Sequence, residues 1–397
     1  MKSTKFGNGT RSLLALLAAT TMIAAACGSD DKASDATNAP APAVTTPTAT
    51  DAATETTAAP TATEAPETSA AETNALDTNG DGKVVFGIAA QGPADDGAYY
   101  QAVVDAAKKL STENGFEDPI VVDKIDAADA ATVLGDLAQQ GVDVIIVGAS
   151  GIAQPLPDLI KQYPDVFWYC NCGAGFPANP GLSQSLDDGG EIGYAAGYAT
   201  GLKLKEKGGD SVVIIGCCEL GFEKQAVLAF DLGLKAVDPS YTQTYVPTGD
   251  FPFDFDNSAN ATAALQTAID NGADAVYPYL GGALRPVVQA ANAAGIITMS
   301  AGSSKVCDDG GGLTYDIAVK FDAGDYVTAV MNEIIAGTFK EGDIKTFKVG
   351  VDPEPGAVIC NATPEQQAAM DAVYAQIAAG DFVEQFNQIA AEAFAAG

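Results

Sequence analysis

The chain has 397 residues, with 52 Asp and Glu against 20 Lys and Arg, a formal net charge of −32, and no histidine. That charge excludes a nucleic-acid partner, whose phosphates it would repel, and the missing imidazole removes Ser-His-Asp and Cys-His chemistry and most zinc sites. Hydrophobic residues make up 47% of the chain, enough for ordinary packed cores.

Lys2, Lys5 and Arg11 precede the apolar run "LLALLAATTMIAAA", and small residues lead up to Cys27. This is the order of a secretory signal, assigned to residues 1–26. "AAC" at 25–27 resembles the lipobox of bacterial lipoproteins, in which the new amino-terminal cysteine carries diacylglycerol, so the resemblance implies attachment to the outer face of the cytoplasmic membrane through Cys27. Residues 27–82 are then expected to be a disordered tether, because 28–76 hold one Val, one Leu and no aromatic and cannot offset the entropy of ordering. At its end "DTNGDG" (Asp77 to Gly82) copies the first half of a calcium loop, but the twelfth position is Ile88 rather than a bidentate Glu. It reads as a polar turn, and no metal or cofactor is expected.

From Lys83 onward short β-branched runs alternate with helical periodicities. "KVVFGIAA" (83–90) predicts a buried strand, followed by a helix with Tyr99, Val103, Ala107 and Leu110 on one face that closes at Gly115. "PIVVDKI" (119–125), a helix near Leu134 and Leu137, "VDVIIVGA" (142–149), a helix near Leu156 to Tyr163 and "DVFWYCN" (165–171) repeat the alternation. A second series runs from a helix at about 190–207 through "SVVIIG" (211–216), a helix at 222–237, "YTQTYV" (241–246), a helix at 257–271, "ADAVYPYL" (273–280), a helix at 283–294 and "IITMSAG" (296–302). The fold class expected is α/β, with two doubly wound parallel-sheet lobes. Gly193, Gly197 and Gly201 recur every four residues in one helix, a spacing that permits close helix packing in a soluble core. With Cys27 assigned to lipid, six cysteines remain, Cys170, Cys172, Cys217, Cys218, Cys307 and Cys360. In an exported chain they read as disulfides, with pairing left open.

Ligands of open α/β sheets bind beyond the carboxyl ends of strands. Those ends are Gln91 to Gln101, Gly148 to Gly151, Asn171 to Gly175, Glu219 to Phe222, Phe251 to Asp256, Tyr279 to Gly282 and Ala301 to Ser304. They offer aromatic, amide, glycine and carboxylate groups. Ser150 or Asp254 would be the nucleophile of a hydrolase, but neither has a base beside it in the pattern, so an enzyme is not expected.

In order and spacing, Val84 to about Phe382 resembles the basic membrane protein or PnrA-like lipoproteins, substrate-binding proteins of ABC importers, many specific for purine nucleosides. "GPADDGAYYQAVVDAAKKL", "YPDVFWYCN", "GGEIGYAAGYATG", "FPFDF", "NGADAVYPYLGG" and "YDIAVKFDAGDYV" each look like a segment of that family. The resemblance implies a type I periplasmic binding protein with a multi-strand hinge, an N-terminal lobe of 83–187 and 299–342, and a C-terminal lobe of 188–298 and 343–397. It implies a small-molecule solute in the inter-lobe cleft, an ABC permease and ATPase as partners, and a monomer. A ligand-sensing lipoprotein without transport, or a binder of a non-nucleoside solute, are the alternatives. By resemblance Tyr99 and Phe222 are the stacking aromatics, Asp95 and Asp96 polar contacts, and Lys320 the lysine of the family's T-S-x-x-K segment. Tyr100, Ser150, Asn171, Phe253, Gly281 and Ser300 complete the candidate set. Lobe membership further suggests Cys307 with Cys170 or Cys172, and Cys360 with Cys217 or Cys218. This sequence departs from the family at two acids: Asn171 stands at the end of the Y-P-D strand, and "MSAGSSKV" (299–306) has serines where a carboxylate is usual. A free base or another neutral ring is therefore expected to bind at least as well as its nucleoside.

Overall fold

The computed structural model describes residues 74–173, 176–250 and 253–395; the signal, Cys27 and most of the expected tether lie outside them. The first sheet combines β1 (Phe86–Ala89), β2 (Ile120–Val122), β3 (Val144–Val147), β4 (Phe167–Asn171), β5 (Ser183–Asp187) and, much later in the chain, β11 (Ile344–Phe347). Their order is β11-β5-β4-β3-β1-β2, and every pairing is parallel. The central runs FGIA and VIIV are buried throughout, as strands covered on both faces must be. The covering helices are α1 (Tyr99–Asn114), α2 (Ala130–Ala138), α3 (Leu156–Gln162) and the distant α8 (Ala323–Ile335).

The second sheet runs β7 (Thr242–Pro247), β6 (Ser211–Gly216), β8 (Ala275–Pro278), β9 (Ile297–Thr298), again parallel. A bridge from Met299 to Ile317 attaches β10 (Ile317–Lys320), which pairs antiparallel with β12 (Gly356–Ile359). Around it lie α4 (Gly189–Lys207), α5 (Gly221–Val237), α6 (Ser258–Asp270), α7 (Leu284–Ala294), α9 (Pro364–Ala379) and α10 (Val383–Phe394). Core membership changes from one lobe to the other after Asp187, between Lys320 and Ala323, and between Phe347 and Val349. At the last crossing the buried Glu191 carboxylate of α4 accepts the Val349 N–H at 2.8 Å, and burial raises its carboxyl to about 7.

These pairings move two expected boundaries. Residues 299–320 join the second lobe because the Met299–Ile317 bridge and a shared core tie β10 to the end of β9, and 343–347 join the first because β11 lies beside β5. The cysteine pairs change for the same reason. Cys307 and Cys360 are bridged across the β10–β12 side of the second lobe with Cα atoms 5.1 Å apart, while Cys170 pairs with Cys172 and Cys217 with Cys218. None of the expected pairs forms, although each bridge still joins residues of one lobe. The end of the expected tether also belongs to the folded body. Leu76 is buried in the first core, and the fully buried Asp143 carboxylate accepts N–H groups of Thr78 at 3.0 Å and Val85 at 2.8 Å. In the Asp77 to Gly82 turn the carboxylates accept the turn's own N–H groups.

The glycine repeat in α4 lies against α5. A Cβ at Gly197 would overlap the Phe230 carbonyl, and one at Gly233 the Tyr194 carbonyl, so bare backbones let the two helices touch. Gly197→Ala or Gly233→Ala should each destabilise the fold by about 1–3 kcal/mol or more, read as a lower denaturant midpoint. Lys205→Ala, exposed on the same helix, should stay within about 0.5 kcal/mol.

Candidate functional site

Strand ends of both sheets line one cavity of about 620 Å³, within the roughly 300–1,000 Å³ usual for small-molecule sites. From the first lobe, β1 delivers Gln91 to the rim and the turn into α1 delivers Tyr99 and Tyr100. Tyr100 lies over Gly92, where a Cβ would displace its ring, and Gln91 lies over Gly151 in the same way. Asp96 starts α1 by accepting the N–H groups of Ala98, Gln101 and Tyr100 at 2.9, 3.0 and 3.2 Å. Burial raises its carboxyl while those bonds oppose the rise.

Tyr99 is held from behind. The Asn171 amide donates to its hydroxyl at 2.9 Å and accepts from Ser185 at 2.8 Å, and Ser185 meets Tyr169 at 2.8 Å. An amide suits this place because it must donate on one side and accept on the other, which an ionised carboxylate cannot do. Accepting from Asn171 leaves the Tyr99 hydroxyl proton free for another partner.

In the second lobe Glu223 folds the turn that carries Phe222, accepting the N–H groups of Cys217, Leu220 and Cys218 at 2.7, 3.0 and 3.2 Å. The loop after β7 brings Asp250, Phe253, Asp254, Phe255 and Asp256 to the cavity. Gly282 N–H donates to Asp256 at 2.6 Å, pinning that loop to the end of β8. The rings form a continuous wall: Phe222 lies 6.4 Å from both Phe255 and Tyr279, and Tyr279 stacks on Phe321 at 5.5 Å.

Asp187 lines the same cavity, at the end of β5 where the chain leaves the first sheet. Among the described residues no salt bridge reaches it. Burial, reinforced by the neighbouring Asp188 charge, pushes its carboxyl up to about 6. Tyr326, only 2% exposed and without a hydrogen-bond partner of ordinary length, lies near enough to favour the Asp187 anion. Burial first, and the Asp187 charge with it, hold the hydroxyls of Tyr99, Tyr279 and Tyr326 protonated far above their ordinary range.

Of the sequence candidates, the structure brings Asp96, Tyr99, Tyr100, Ser150, Phe222, Phe253 and Gly281 to the cavity. Asp95 is exposed outside it, and Asn171 stands behind Tyr99. Ser300 is buried, accepting Val319 N–H and donating to the Ser303 carbonyl, each at 3.1 Å. Lys320 donates to the Pro353 carbonyl and lines a separate groove with Asp325 and Glu354. The family positions at Asn171 and 299–306 carry no acid, and the cavity has one at Asp187, 16 residues further on from Asn171, besides the expected Asp96. Asp187 and Phe321 were not singled out in the sequence. The signal for the first was the "DD" before "GGEIG", a strand end meeting a helix N-cap, since Asp188 accepts Gly190 N–H at 2.8 Å.

The model of the family described as Bmp, ABC transporter substrate-binding protein PnrA-like, matches residues 83–351. Among solved structures the chain is similar to an ABC transporter solute-binding protein from Conexibacter woesei, at 23% identity and TM-score 0.57, covering 75% of this chain and 97% of that one. It is also similar to one from Aeropyrum pernix, at 12% identity and TM-score 0.62, with coverages of 78% and 99%. A transcriptional activator of the comK gene from Bacillus halodurans matches at 18% identity and TM-score 0.59, with coverages of 75% and 98%. At these identities the likeness carries the fold, that of the type I periplasmic binding proteins.

The Asp187 environment predicts a stability cost with a definite sign. Its carboxyl titrates near 6 in the native state against about 3.9 in the unfolded chain. The native state binds the proton more tightly, so this group's contribution to stability is fully present below about pH 4 and is lost as pH rises through about 6. Asp187→Asn should therefore raise the unfolding free energy near neutral pH by about 1–3 kcal/mol, and the gain should disappear near pH 4. Denaturant titrations at the two pH values check it; an equal difference at both would show that ionisation is not the cause.

Proposed function

Since the chain belongs to the PnrA-like, or Bmp, family of ABC transporter substrate-binding proteins, we propose that it is a lipid-anchored receptor whose cleft takes a ring-bearing solute of nucleoside or nucleobase-like size. The observation that supports this reading is the cavity itself, lined from one lobe by Tyr99 and Tyr100 and from the other by Phe222, Phe255 and Tyr279. Rings from two separately folded sheets meet there only because the lobes face each other, so a flat solute between them joins the lobes. Hinged closure about the three crossings then traps it for delivery to a permease and its ATPase. The carboxylates along the same walls select solutes that offer hydrogen-bond donors.

The reading extends to the cell surface. Lipid on Cys27, at the end of the apolar run that resembles a lipoprotein signal, attaches the protein to the membrane, with the following segment as tether.

Thermal-shift measurement of the purified protein against nucleosides, nucleobases and other small ring compounds tests the cleft, since a ligand that binds only the native state raises the melting temperature. Tyr99→Ala and Phe222→Ala should each weaken the best solute by tenfold or more, about 1.4 kcal/mol, while leaving the unliganded melting temperature within a few degrees. Unchanged affinity in both would place the solute elsewhere. Cys27→Ser should release a folded protein to the medium, and continued membrane association after signal cleavage would sink the anchor.

A further inference from the structure

The cavity wall carries six carboxylates, Asp96, Asp126, Asp187, Asp250, Asp254 and Asp256, against one ammonium, Lys124. Lys124 lies 3.6 Å from Asp123, so it already has an acid partner. Several of the six are engaged by the protein: Asp96 by the start of α1, Asp256 by Gly282, and Asp254 by the Asn257 amide at 3.2 Å. Asp187 is different: among the described residues no cation holds it, and it is half-buried on the wall of a cavity that Tyr99, Phe222, Tyr279 and Phe321 also line. The deeply buried Tyr326 hydroxyl beside it favours the Asp187 anion without neutralising its charge.

The faces of Tyr279 and Phe321 stack at 5.5 Å, and Phe222 lies 6.4 Å from Tyr279, in the same cavity as Asp187 and Tyr99. Ring faces carry the negative part of the aromatic quadrupole and attract cations, most strongly where water is excluded. A carboxylate among such faces is matched by a cation with an apolar surround. A ribose diol, by comparison, would satisfy the hydrogen-bonding capacity of Asp187 and leave its charge and the cleft's negative field uncompensated. Closure of the lobes sharpens the difference, because an unpaired charge grows more costly as water leaves.

We propose that the solute of this cleft is an organic cation, a protonated amine or N-alkylated ring on an aromatic body, with Asp187 as its counter-ion and Tyr99, Phe222, Tyr279 and Phe321 around it. This rests on the cleft being the solute site and adds the charge of the solute to that reading.

Calorimetry on the purified protein near neutral pH with matched probes tests it. Two pairs differ mainly in charge, 1-methylnicotinamide against nicotinamide and tryptamine against tryptophol, and adenosine serves as the neutral nucleoside. The cation of at least one pair should bind at least tenfold more tightly than its neutral partner and more tightly than adenosine. Asp187→Asn should bring that ratio close to one, and Asp187→Glu should retain a preference for the cation. If the neutral members or adenosine bind as tightly as the cations, or if Asp187→Asn leaves the ratio unchanged, the inference falls while the cleft remains a solute site. If none of the five compounds binds, the inference and the reading of the cleft fall together.

Discussion

An anionic side chain without a counter-ion, placed where the chain leaves its first sheet, is the constraint around which this molecule is organised. Asp187 ends β5, so its backbone is fixed by the pairing of β5 with β4 and β11, and the next residue caps the helix that opens the second lobe. The carboxylate cannot retreat into solvent without disturbing either element. Burial there, with the Asp188 charge beside it, raises its carboxyl. A group held at such a disadvantage in the empty protein is one whose charge a bound partner can compensate, and a receptor gains affinity from it without needing new flexibility.

The hinge and the site are therefore not separate parts. Phe321 follows β10 at the second crossing and stacks on Tyr279, while at the third Phe347 stacks on Tyr326 with centroids 4.3 Å apart. Tyr326 in turn faces Asp187. Two side chains join these roles: Asp187 ends β5 at the first crossing and Phe321 follows β10 at the second, and both line the cavity.

The parts of the fold legible in the sequence were those driven by continuous apolar runs. VIIV and VVII are buried on both faces and give strands whatever surrounds them, and the glycine repeat of α4 marked a close helix contact. The strand β5 escaped because its sequence is SQSLD. Its polar groups are buried by tertiary partners, with Ser183 donating to the Lys340 carbonyl at 3.0 Å and Ser185 joined to Asn171, and no periodicity in a single chain announces such partners. The crossing points were misplaced for a related reason. β10 and β11 lie 27 residues apart at their starts yet belong to different sheets, which is a fact about pairing and not about local propensity.

Asn171 and Asp187 make the same point about the site. No carboxylate stands at the two family positions, Asn171 and 299–306, yet one lines the cavity at Asp187. In this chain the strand end at 171 has become part of a neutral network, Tyr99 to Asn171 to Ser185 to Tyr169, that fixes a ring. The acid is supplied instead from the end of the neighbouring strand. Because β4 and β5 are parallel and adjacent, both ends open toward the same side of the sheet, and moving a charge from one to the other keeps it at the cleft while changing what stands beside it. At 171 the side chain is enclosed by hydrogen-bond partners. At 187 it meets rings and the hinge, a setting in which charge, not hydrogen-bond geometry, dominates selection.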